Sequence, residues 1–242
     1  MSKVVRGLGW LLLVSGAVVL LYVVYLLWFT GLETGRAQSD LADSFSGELP
    51  DPDEELPDLD GQQAQGLEPD EDLPEGDEPE EPDVSGEAYA ALWFERDGER
   101  IVNDEIVYVV EGVSLDRLRA GPGHYPGSDR PGGEGNLAVA GHRTTYGAPF
   151  WSLNELSEGD TIHVMDREGR EWVYAYREQQ VIGPQELWVL EQDPLGTGEP
   201  MITLTTCHPR GSAAQRLVAW GELQDEPIES TAGDPIEELA DA

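Results

Sequence analysis

The chain has a single cysteine and a single lysine among its 242 residues, and each scarcity excludes something. One thiol cannot close a disulfide within the chain, so a small exported scaffold held by paired cysteines is ruled out. With 14 basic against 49 acidic residues, the formal net charge is -35. A chain this acidic repels phosphate backbones, which sets nucleic-acid binding aside. Internal repeats are absent, and so is the alternation of strand and helix that a parallel α/β fold would need.

The acidity is unevenly spread. Nineteen acids and no Lys or Arg lie between Ala37 and Gly86, seven acids follow Leu223, and the stretch from Glu87 to Leu223 balances 22 acids against 11 arginines. The part able to fold is therefore only mildly acidic. At the other extreme, Gly7 to Leu32, GLGWLLLVSGAVVLLYVVYLLWFTGL, carries no charged side chain. About 20 apolar helical residues suffice to cross a bilayer, so residues 7–32 are expected to be a transmembrane helix. Trp10, Tyr25 and Trp28 suit the interfacial belts, and Lys3 and Arg6 ahead of the span place the N-terminus inside. A cleaved signal peptide is the rival reading, but its apolar core would be shorter.

Five segments follow: a cytoplasmic N-terminus 1–6, the helix 7–32, an acidic Pro-rich disordered linker 33–88, a folded domain 89–223, and an acidic disordered tail 224–242. The linker has too little to bury to offset its ordering entropy. Within the folded domain the apolar runs EIVYVVEG, NLAVAGH, DTIHVMD, EWVYAYREQQVI, PMITLTTC and RLVAWGEL are short and punctuated by turn residues. DREGR between the third and fourth reads as a hairpin turn. Only SLDRLRAG and PFWSLNEL suggest brief helices. The expectation is a mostly β domain, a closed barrel or a sandwich.

Cys207 closes the strand MITLTTC, and Arg216 opens the next strand after the polar loop HPRGSAAQ. A thiol at a strand end sits on a rigid platform yet faces the loop side. A hairpin would bring Arg216 beside it, and a guanidinium, always charged, is suited to hold developing negative charge on a carbonyl oxygen. Nucleophilic cysteine chemistry also needs an acid–base group. Four histidines are available: His124, His142, His163 and His208. His142, at the strand-to-loop transition NLAVAGHRTT, is the best placed by position alone. His163 alternates within a strand, and His208 adjoins Cys207 on the opposite face. A zinc site from His124, His142, Cys207 and His208 matches no known ligand spacing. Trp151, Trp188 and Trp220 read as packing.

The stretches NLAVAGHRTTYGAPFWSLNELSEGDTIHV and MITLTTCHPRGSAAQRLVAWGEL resemble the two signature blocks of the sortases, and GPGHYPGSDRPGGEGN extends the likeness toward the class E enzymes of actinobacteria. The resemblance implies a closed eight-stranded β-barrel and a membrane-anchored cysteine transpeptidase, with no cofactor and with its catalytic domain outside the cell. It implies cleavage of an LAxTG- or LPxTG-like sorting motif between Thr and Gly, with transfer to a cell-wall amine acceptor. Cys207 would be the nucleophile, His142 the acid and base, and Arg216 the oxyanion donor. Thr203, Leu204 and Thr206 would line the peptide groove or steady the thiol, and Tyr125 would contact the substrate. Two features depart from the pattern: the longer, polar AYAALWFERDGERIVNDEIVYVVEGV where the barrel begins, and His208 directly after the cysteine. A non-catalytic peptide-binding scaffold, or a peptidase in which water resolves the thioester, would use the same groove.

Overall fold

The computed structural model describes residues 2–48, 87–224 and 228–229. These form strands β1 (Ala90–Arg96), β2 (Glu99–Arg100), β3 (Val107–Glu111), β4 (Gly123–His124), β5 (Asn136–Ala140), β6 (Thr161–Met165), β7 (Arg170–Ile182), β8 (Met201–His208), β9 (Gln215–Leu223) and β10 (Ile228–Glu229). Helices α1 (Ser2–Glu48) and α2 (Leu115–Ala120) accompany them. The sheet runs β7-β6-β1-β3-β4-β5-β8-β9, and β9 pairs back onto β7, so eight strands close a barrel. β2 pairs with β1, and β10 lies on the other edge of β7. Closure removes the free edges that an open sheet would expose.

The expected strands fall where the β-branched and aromatic runs are. The DREGR turn joins β6 to β7: the Asp166 carboxylate accepts the backbone N–H groups of Glu168 and Arg170, both at 3.0 Å, and Gly169 takes the left-handed φ of 76°. At the doubtful start, AALWFER forms β1 and a tight turn leads into the two-residue β2.

Alternation along the strands sorts the side chains into an interior and an outer layer. Ala90, Leu92 and Phe94 of β1, Leu137 and Val139 of β5, and Ile202 and Leu204 of β8 fill the interior. Each large apolar side chain buried in this way contributes about 1.5–3 kcal/mol relative to exposure. The intervening residues are not left wet. Ala91 and Trp93 of β1 and Tyr108 and Val110 of β3 pack outward beneath Leu41 and Phe45 of α1. Met201 of β8 and Val218 and Trp220 of β9 pack outward beneath Val189 and Trp188. Two covered faces explain why β1 and β8 are buried at successive rather than alternating positions.

The linker expected from residue 33 begins instead as helix. α1 continues to Glu48, and its second half docks on the barrel. Gln38 accepts the Tyr108 N–H at 2.7 Å and donates to the carbonyls of Tyr108 and Ala120, while the Thr34 hydroxyl donates to the Arg119 carbonyl at 2.8 Å. The composition of 33–48 is acidic, yet Leu41 and Phe45 lie one helical turn apart and supply an apolar stripe. The rest of the expected linker, 49–86, lies outside the described residues. So does most of the expected tail, except that Ile228 and Glu229 pair with Glu171 and Arg170 of β7. Among the described residues no helix is long and apolar enough to cross a membrane. The described side chains of the apolar run, Trp10 to Tyr22, are exposed, and those of Tyr25 and Trp28 lie outside the described set.

Candidate active site

The register of β8 against β9 decides the centre of the site. Cys207 is the direct antiparallel partner of Arg216, as Thr205 is of Val218 and Thr203 of Trp220. Directly opposed residues share a face with Cβ atoms about 4.5–5.5 Å apart. Since Val218 and Trp220 face outward, Cys207 and Arg216 do too, beyond the cover that Trp188 and Val189 provide. Both are partly exposed. The Arg216 Nη1 group donates to the carbonyls of Ala213 at 2.9 Å and Gln215 at 3.0 Å, which anchors the guanidinium at the mouth of the hairpin.

β5 lies parallel to β8 on its other side, with Ala140 beside Thr205. The pairing continues past the strand end: Gly141 N–H donates to the Thr205 carbonyl at 3.0 Å, and the Thr206 hydroxyl to the Gly141 carbonyl at 2.7 Å. Gly141 is required because a Cβ there would run into the Phe150 ring. His142 therefore emerges level with the end of the cysteine strand. The following loop is strained, with Tyr146 at φ 51° and Ala148 at φ 47° on either side of Gly147. Left-handed backbone at non-glycine residues is characteristic of functional sites. The strain brings the Tyr146 ring to 4.9 Å from the His142 ring, and the Arg119 guanidinium lies 5.8 Å over Tyr146.

Thr145 meets His142 Nδ1 at 3.5 Å, while the buried His142 Nε2 has no hydrogen-bond partner among the described residues. A buried, unpaired ring nitrogen is costly unless something else engages it. Burial, and then the charge of Arg119, lower the His142 pKa below the ordinary imidazole value. The imidazole is thus held toward its neutral form.

The other histidines are occupied elsewhere. His124 is buried, bonded to Glu111 at 2.8 Å and stacked on Tyr89. His163 is also buried and is satisfied locally, bonding Glu171 at 2.6 Å and Thr161 at 2.7 Å. His208 meets Arg143 at 2.9 Å. Among the described residues no three His, Cys, Asp or Glu side chains group as metal ligands. Trp220 is fully buried and stacks on Trp188, whereas Trp151 is partly exposed under Arg210 at 4.4 Å.

Of the residues expected to contact peptide, Thr203 and Leu204 are fully buried. Thr203 donates to the Asn136 side chain at 2.7 Å and Leu204 belongs to the barrel interior, so as placed they seat β8 rather than line a groove. Thr206 points inward and bridges to Gly141. Tyr125 is half-exposed, with its hydroxyl 3.1 Å from that of Thr205, on the outward face shared with Cys207. Position in the TLTTC block cannot separate these roles; the parity of the strand does. Arg143 joins these residues: it is 4% exposed, and its guanidinium reaches the Cys207 carbonyl at 3.3 Å. Its only sequence signal was adjacency to His142.

Comparison with known proteins agrees with this geometry. The sortase domain family matches residues 102–224. Sortase SrtE1 of Streptomyces coelicolor is 28% identical over 238 residues, covering 91% of this chain. This chain spans 57% of the length of that relative. Among solved structures, sortase E of Streptomyces avermitilis is 32% identical with a TM-score of 0.51, covering 61% of this chain and 94% of its own. Sortase E1 of Streptomyces coelicolor, with a tripeptide in its active site, is 29% identical with a TM-score of 0.52, covering 62% and 96%. The sortase domain family matches over half of the chain and the solved sortase structures share its fold, so this protein belongs to the sortase family, whose members are cysteine transpeptidases.

Proposed function

We propose that this chain is a membrane-anchored transpeptidase that acts on an LAxTG- or LPxTG-like sorting motif through Cys207. The observation that carries the reading is the direct pairing of Cys207 with Arg216 across β8 and β9, with His142 two residues past the end of the neighbouring β5. As the Cys207 sulfur attacks the Thr carbonyl carbon, the thiol proton passes to the neutral His142 imidazole. The electron pair moves to the carbonyl oxygen, which receives N–H donors from Arg216. Collapse breaks the Thr–Gly bond while His142 delivers a proton to the leaving glycine amine, and a thioester remains on the enzyme. An incoming amine attacks the thioester and gives its proton to His142. The new amide leaves, and the thiol is regenerated.

Further features support the remaining parts of the proposal. Ala140 and Thr205 lie side by side on the outward face at the ends of β5 and β8, the face that also carries Cys207. Tyr125 and Thr205 stand on it and contact the peptide in this reading. The charge-free run from Gly7 to Leu32 anchors the chain with its N-terminus inside and the barrel outside the cell. Exposed apolar side chains all along Trp10 to Tyr22 suit a lipid environment. The acceptor is an amine of the cell wall.

Incubation of the protein with LAxTG and LPxTG peptides and an amine, followed by mass spectrometry, tests the proposal. The expected result is a peptide thioester on Cys207 that the amine discharges. No adduct from either peptide on folded protein would sink the enzymatic reading.

A further inference from the structure

Arg143 follows His142 in sequence, but its side chain reaches across to the cysteine strand. Nη1 donates to the Cys207 carbonyl at 3.3 Å and to His208 Nδ1 at 2.9 Å, and Nη2 donates to the Asn154 side-chain oxygen at 2.7 Å. A side chain that is 4% exposed makes all three contacts. Planar N–H groups in fixed directions can span three acceptors on two segments in a way that a single ammonium cannot.

The bond to His208 has a chemical consequence. A guanidinium only donates, so His208 Nδ1 must accept, and the ring proton sits on Nε2. While the bond holds, His208 Nδ1 is occupied by the guanidinium N–H. Other charged groups lie around it: Arg210, which shares Asn154 at 3.1 Å and meets Glu155 at 3.5 Å, Arg216 on β9, and the thiol of Cys207 itself. Directly opposite His208 on β9 is Gln215, which carries no charge. Burial and then Arg210 lower the Arg143 pKa, and Cys207 acts in the opposite direction, as expected of a cation beside that residue.

We propose that Arg143 is a positioning residue for the reaction: it ties the segment carrying His142 to the end of the strand carrying Cys207, and it occupies His208 Nδ1, so the thiol works beside a permanent cation and not beside a titrating one. The proposal rests on Cys207 being the nucleophile. It also answers the departure seen in the sequence, where a histidine directly after the cysteine could have placed a pH-dependent charge next to the thiol.

Because Cys207 is the only cysteine in the chain, iodoacetamide alkylation of the full chain in detergent reads this thiol alone. The rate is followed from mildly acidic to mildly alkaline pH for the wild type, Arg143→Met, Arg143→Gln, and Arg143→Met combined with His208→Gln. Both single variants should show an added inflection, because loss of the guanidinium frees His208 Nδ1. The wild type and the double variant should lack it. Both single variants should also lower kcat for peptide about tenfold or more with KM within about twofold, the pattern of lost positioning rather than lost binding. Profiles of the same shape for the wild type and the folded single variants, or an added inflection that survives loss of His208, would overturn the role of Arg143. If Arg143→Met does not fold, the polar Arg143→Gln decides on the same criterion. A wild type that forms no peptide adduct would remove the proposed reaction, while the alkylation profiles would still decide whether Arg143 controls His208.

Discussion

Cys207 and Arg216 face each other directly across β8 and β9, and the two bonds that anchor Arg216 both use Nη1. Its Nε and Nη2 make no described bond and are available to donate to an oxyanion formed at Cys207. The hairpin loop thus preorganises a cation without consuming all its donors.

Arg216→Ala should therefore slow thioester formation by roughly a hundredfold or more, the scale of a lost oxyanion donor. Arg216→Lys should recover only part of that rate, because an ammonium keeps the charge but not the directed fork. Single-turnover acylation, read by intact mass, measures both. Equal rates for Arg216→Ala and the wild type would remove Arg216 from the mechanism.

The His142 pKa is lowered by burial first and the charge of Arg119 second. Replacing Arg119 with Gln removes the like charge, so the inflection belonging to His142 in the pH–rate profile should move to higher pH. Stability carries the same sign. A folded-state pKa below the unfolded value of about 6.5 means the unfolded chain binds the proton first as pH falls. The contribution of His142 is thus intact above the unfolded value and declines as pH drops through it toward the folded one. Denaturant titrations at neutral and mildly acidic pH should show a smaller acid loss for His142→Gln than for the wild type.

Thr203 is fully buried and supplies the hydrogen that satisfies the Asn136 side-chain oxygen. Thr203→Val keeps the shape but strands that oxygen, at a cost of about 1–3 kcal/mol. Thermal or urea unfolding should show the loss, and KM for a sorting peptide should not change. A raised KM with unchanged stability would return Thr203 to the substrate groove. Tyr125→Ala, on the outward face, should show the opposite pattern.

Phe45 of α1 is 1% exposed and packs 5.7 Å from the Tyr108 ring. Phe45→Ala should weaken docking of this helix by up to about 3–4 kcal/mol, the range for a buried aromatic. Faster amide exchange over 34–45, with the barrel strands unaffected, is the expected reading. Unchanged protection there would mean that Gln38 and Thr34 hold the helix without the apolar contact.

Several features were legible before any coordinates because they depend on neighbours in sequence. The hairpin at Asp166 and Gly169, the strands β3 and β5 to β9 and the thiol at a strand end follow from turn chemistry and short β-rich runs, whereas β1 and β4 do not. The helical continuation through Glu48 was not legible. Its composition is that of a solvated segment, and only the outward faces of Trp93 and Tyr108 make Leu41 and Phe45 worth burying.

By itself the sequence determined which residue types stand at the strand ends, and hence that one thiol, one arginine and a choice of histidines were the available chemistry. Register and closure decided the rest. Pairing of Cys207 with Arg216, of β5 with β8, and of β9 with β7 selects His142 and sends Thr203 beneath Val189 instead of into a groove. These are relations between residues far apart in the chain. Which face a side chain takes depends on a one-residue choice of register, and only burial of the whole barrel settles it.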